Sequence, residues 1–138
     1  MGVELHVLTI LLAMAASGWV PYIIGVNTAE AGSVGDHDSQ DFSRPANPSL
    51  QRPWVHRAHR AHLNLLEQGM PFAALVLLLA FLDGFSALTA WTCVAFLALR
   101  VVHAMGMITG RLGLPGRPIV FTLGWVCCVI LVVAVYLA

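Results

Sequence analysis

Along residues 57–72, "RAHRAHLNLLEQGMPF", two arginines, two histidines, an asparagine and a glutamate crowd together and lead straight into "AALVLLLAFL". Guanidinium groups suit carboxylates, a carboxylate suits an ammonium, and an asparagine suits an amide. At 100° per residue, Arg57, Arg60, Asn64 and Glu67 fall within an arc of about 80° on one helix face, while His59 and His62 point elsewhere. A second stripe holds Arg100, His103 and Arg111, with Met107 among them. Arg100 lies well inside an apolar segment, where a charge costs at least about 2.5–3.5 kcal/mol and normally faces a partner or a wet cavity. Glu67 on a neighbouring helix is one candidate partner. A single carboxylate cannot neutralise Arg57, Arg60, Arg100, Arg111 and Arg117, so positive charge is left over for an anion.

Other groups carry weaker signals. His56, His59 and His62 recur every third residue, but each step turns the side chain about 60°, so the outer two lie about 120° apart, and no Asp, Glu or Cys on that face completes a tetrahedral set. No metal site is expected. Cys93, Cys127 and Cys128 all sit in apolar runs and give neither a disulfide framework nor a metal spacing. They read as core-filling residues.

The elements that hold these residues are membrane helices. Of the 138 residues 59% are hydrophobic and 10% charged, and mean hydropathy is +0.82, outside the soluble globular class. A hydrocarbon core of roughly 30 Å takes about 20 apolar residues per helix. Four such runs are present, at about 5–25, 57–82, 86–109 and 118–137, which predicts an all-α four-helix membrane bundle in a single domain over 1–138. The first run could pass for a signal peptide, with "AEA" at 29–31 as a cleavage site. Its Glu4, its lack of Lys or Arg and its length favour a retained helix. "DGFS" is short enough to make the second and third helices an antiparallel hairpin. Residues 26–55, rich in Asp, Ser, Gly, Asn and Pro, read as a long polar loop.

Arg44, Arg52, Arg57, Arg60, Arg111 and Arg117 lie in or beside the first and third links, and none lies in "DGFS" or at either terminus. The positive-inside rule then places these links in the cytoplasm and both termini outside. A net charge of zero argues against a nucleic-acid partner.

The block Arg60, His62, Asn64, Glu67, Pro71, Phe72 resembles the second-helix signature of the MAPEG family, the membrane-associated proteins of eicosanoid and glutathione metabolism. Arg100 and His103 are similar to the family's third-helix pattern, and Arg117 to the basic residue before its fourth helix. The resemblance implies a four-helix bundle assembled as a homotrimer in the lipid bilayer, here of a bacterial inner membrane, with glutathione bound between subunits near the cytoplasmic face. It further implies that Arg57, Arg60, Asn64, Glu67, Arg100 and His103 contact glutathione. Arg117 would stabilise the thiolate as the catalytic cation, and a lipophilic small molecule would be the second substrate. The chain departs from the pattern at Leu63, Met107, Pro118 and Phe121, where polar groups are expected. Two functions follow. One is a glutathione-dependent transferase or peroxidase acting on lipophilic electrophiles; the other is a non-catalytic relative serving as a membrane scaffold or accessory subunit.

Overall fold

The computed structural model describes residues 2–28 and 52–138, so most of the polar segment expected over 26–55, with Arg44, lies outside the described residues. The described chain is helical: α1 (Val3–Ser17), α2 (Val20–Asn27), α3 (Pro53–Phe81), α4 (Ala87–Thr109) and α5 (Gly116–Leu137). The first two form a single span, Val3–Asn27, and α3, α4 and α5 are each long and apolar enough to be another. Four spans and the absence of strands among the described residues make this an all-α multi-pass membrane protein.

Two boundaries differ from the sequence expectation. The first span is interrupted at Gly18 and Trp19, and Pro21 stands in the first turn of the second piece, where its missing N–H costs no helical bond. The second span starts at Pro53 rather than Arg57, because Pro at the first turn pre-sets the helical φ. Its 29 residues rise about 44 Å at 1.5 Å each, against a hydrocarbon core of roughly 30 Å. The surplus length carries the charged first turns of α3 out toward the headgroups. That is why an apolar span can begin with arginines and histidines.

The helices run up and down. At one end Arg57 reaches the last carbonyls of α4, and the Arg52 Nη2 donates to the Thr28 carbonyl at 2.6 Å. At the other end Gly2 approaches Phe85, and Gly84 approaches Ala138 so closely that a Cβ would come within 2.6 Å of the Ala138 Cβ. α4 packs on α1, α3 and α5, and the α3–α4 pair forms the centre of the bundle. The core joins Val7, Leu8 and Leu11 of α1 to Phe72 and Val76 of α3, Phe96 of α4 and Leu131 of α5. Phe72 and Phe96 stack with centroids 4.0 Å apart.

α4 has closed ends. Ser86 and Thr89 form a reciprocal capping box, the Thr89 N–H donating to Ser86 Oγ at 3.3 Å and the Ser86 N–H to Thr89 Oγ1 at 2.8 Å. The Thr89 hydroxyl also lies 2.8 Å from Oε1 of the buried Glu4 of α1. Ser86→Ala should therefore cost about 1 kcal/mol of bundle stability, read as a lower melting temperature in detergent. At the other end Gly110 takes φ +74° and closes the helix in the left-handed conformation.

Candidate functional site

Arg100 is the largest fully buried side chain of the described residues, at 1% exposure in the middle of the bundle. Its Nη2 donates to the Val120 carbonyl of α5 at 3.1 Å. One residue further along α5, the Phe121 carbonyl accepts from the Gln68 Nε2 of α3 at 3.0 Å. Two adjacent carbonyls of α5 thus take side-chain donors from two other helices. This is possible because Gly124 stands one turn away. A Cβ there would lie 2.5 Å from both the Arg100 Nη2 and the Gln68 Oε1, inside any real contact distance.

The Arg100 head is only partly satisfied. Nε and Nη1 have no hydrogen-bond partner among the described residues, and neither does the Gln68 Oε1. The guanidinium carbon lies 5.4 Å from the Phe96 ring centre and 5.9 Å from that of Phe121, within cation–π range. His103 is buried one turn along α4, with its ring 6.4 Å from Phe121. Arg100 and Arg117 both come close enough to His103 for their charges to act on it. Asn64 is buried one turn before Gln68 on α3. Asn64, Gln68, Arg100 and His103 therefore face the bundle interior, with Arg117 half-buried at the start of α5.

The rest of the α3 stripe does not join them within one chain. Arg60 and Glu67 are exposed on the outer edge of α3. The 80° arc straddles the rim of the buried face, so Asn64 turns in while Arg60 and Glu67 turn out. Pairing of Glu67 with Arg100 is absent: Glu67 faces outward, and Arg100 is bound to Val120 with donors to spare. Arg57 is occupied differently again. Its Nε donates to the Met107 carbonyl at 3.0 Å and its Nη2 approaches the Ile108 carbonyl at 3.5 Å, so it satisfies the open end of α4. Arg111 is exposed beyond Gly110 and off the helix, which removes it from the arc shared by Arg100 and His103.

His59 stacks on Tyr22, with centroids 4.6 Å apart, and His62 faces α1. Among the described residues no group of three His, Cys, Asp or Glu is disposed to hold a metal ion. Sequence reasoning missed Gln68 and Gly124. Gln68 lies about 20° beyond Arg57 on the α3 wheel, just outside the edge of the polar stripe, and that placement was a usable signal. Gly124 had none, since its role is a missing side chain opposite two others.

Chemically, the interior cluster offers a guanidinium with unspent donors, an imidazole, two amides and a second guanidinium at its rim. Such a set can hold a carboxylate or stabilise a thiolate. The sequence model of the MAPEG family matches residues 6–137. Comparison with curated proteins gives no match.

Proposed function

This chain belongs to the MAPEG family, and on that footing we propose that it is a glutathione-dependent transferase or peroxidase acting on lipophilic electrophiles that arrive through the bilayer. One observation carries the reading: Arg100 is buried in a membrane span with Nε and Nη1 unpartnered among the described residues. A buried cation is costly to hold in that state, and an anionic ligand would complete it. Glutathione supplies two carboxylates and an amine, which suit Arg100 with Arg60 and Glu67 respectively. Because Arg60 and Glu67 face away from Arg100 within one chain, the full set requires a second copy, as in a homotrimer with its sites between subunits. The proposed setting is a bacterial inner membrane, with the arginine-rich end cytoplasmic and the termini outside.

In the proposed reaction Arg117 stabilises the glutathione thiolate, since a nearby cation lowers a thiol's pKa. The sulfur forms a bond to the electrophilic carbon, and the leaving group departs with its electron pair. With a hydroperoxide, two glutathiones are oxidised to the disulfide while the peroxide is reduced to an alcohol and water. Arg117→Ala is expected to lower kcat about 100-fold at pH 7 with little change in KM for glutathione, as measured in proteoliposomes. Reconstituted protein that neither binds glutathione by calorimetry nor turns over chlorodinitrobenzene or cumene hydroperoxide would overturn the assignment.

A second reading, a non-catalytic scaffold or accessory subunit, draws on the bonds from Arg100 and Gln68 to α5 carbonyls, which also serve packing. Leu63, Met107, Pro118 and Phe121 at positions of lost polarity point the same way. Met107 is fully packed in the core.

A further inference from the structure

On the opposite side of the α3–α4 pair from Arg100 lies a cavity of about 250 Å³, bounded by α1, Pro21 of α2, α3 and α4. Its wall includes Gly18, Ala61, His62, Leu65, Ala104 and Met105, and none of its lining residues is charged. It lies beside Gly18, where the first span breaks, and Val101 and Met105 of its wall are exposed. At the break the Gly18 N–H turns to the Ala15 carbonyl at 3.4 Å in place of Met14, which leaves acceptor capacity on the last turn of α1. His62 fits against this break because Gly18 has no side chain: a Cβ there would lie 2.6 Å from the His62 Nδ1. That nitrogen is buried and has no hydrogen-bond partner among the described residues. The histidine χ2 torsion is broad, so a modest turn of the ring presents the nitrogen to the cavity.

We infer that this cavity binds a small neutral amphiphile with one hydroxyl, its body in the apolar chamber and its hydroxyl on His62. Three features select that class. An uncharged wall excludes an ionic head, which would be desolvated without a counter-charge. The unpartnered imidazole nitrogen asks for one hydrogen-bonding group. The volume lies below the roughly 300–1,000 Å³ of drug-sized sites, so it takes a compact molecule rather than a whole phospholipid. Depth agrees with this. His62 is about 14 Å along α3 from Pro53 at 1.5 Å per residue, about the surplus of α3 over the hydrocarbon core, which puts it at the interface where a hydroxylated lipophile keeps its polar end. The α3–α4 seam separates the cavity from Arg100, so the site stands independently of the glutathione reading.

The test uses the full chain in nanodiscs of one fixed phospholipid, with three photoreactive probes of equal chain length: an aliphatic diazirine ending in an alcohol, in a methyl group or in a carboxylate. The alcohol should label segments 58–65 and 101–108 at least tenfold above the other two, and excess 1-octanol should compete it away. His62→Leu should remove that preference, and Ala104→Phe should block labelling of these segments, with size-exclusion profile and melting temperature checking the fold of each variant. Equal labelling by alcohol and methyl probes, unchanged in His62→Leu, would reduce the cavity to an unselective lipid groove and overturn the inference. Preference for the carboxylate would overturn it in favour of an anion site. Should Ala104→Phe fail to fold, the His62→Leu comparison decides alone.

Discussion

Arg100→Met is expected to weaken glutathione binding about 100-fold while leaving the bundle folded, with stability within about 1–2 kcal/mol of the parent. The stability half follows from opposing terms of similar size. Keeping the guanidinium inside a membrane span costs at least about 2.5–3.5 kcal/mol, and Nε and Nη1 recover nothing from a hydrogen-bond partner among the described residues. Against this stand one charge-assisted bond to Val120 and two cation–π contacts, worth roughly 1.5–3 and 0.5–1 kcal/mol each. The Val120 carbonyl keeps its place in the α5 ladder when Arg100 goes, so no acceptor is stranded. Met has similar length and no polar atom needing a partner. The binding half follows from the proposed function, in which Arg100 would face a carboxylate of glutathione, so that its loss costs about 3 kcal/mol or two decades in affinity. Calorimetry with glutathione and thermal melting of the same preparation read both halves. A variant that melts much lower and binds normally would assign Arg100 to packing and favour the scaffold reading.

Gly124→Leu should be the most damaging single substitution in α5, costing about 3 kcal/mol or more and abolishing glutathione binding with the same stroke. Even an alanine Cβ would meet Arg100 Nη2 and Gln68 Oε1 at 2.5 Å, and a leucine must expel both from their bonds to Val120 and Phe121. Overpacking of this kind typically costs 1–3 kcal/mol. Displacing a guanidinium into apolar surroundings adds to it. Gly124→Ala is a finer probe, since the helix gains roughly 0.5–1 kcal/mol from losing glycine. Its net destabilisation should be small while the Arg100 head still moves, so affinity should fall more than melting temperature. A double-mutant cycle then isolates the contact. Gly124→Leu combined with Arg100→Ala should be less destabilised than the sum of the single changes, by about 1–3 kcal/mol. Strict additivity would mean that Gly124 is small for a reason other than Arg100.

Much of this protein is legible without coordinates. Composition and run length give a four-span membrane protein, because a hydrocarbon slab imposes both an apolar character and a minimum length on whatever crosses it. The set Arg60, His62, Asn64 and Glu67 marks the family for a chemical reason, since charged groups persist in a span only where something requires them. Helical periodicity also gives the relative angles of Arg57, Arg60, Asn64 and Glu67. It does not give their absolute direction. Only packing against α4 and α5 set the rim of the buried face of α3, and that rim runs through the polar stripe, turning Asn64 inward and Glu67 outward. Arg57 reads as one more cation until the end of α4 arrives beside it with open carbonyls. Gly124, Gln68 and the cavity beside His62 depend on residues more than 20 positions apart meeting across helices. A period along one helix encodes which residues share a face, while the identity of what that face meets is a property of the assembled bundle alone.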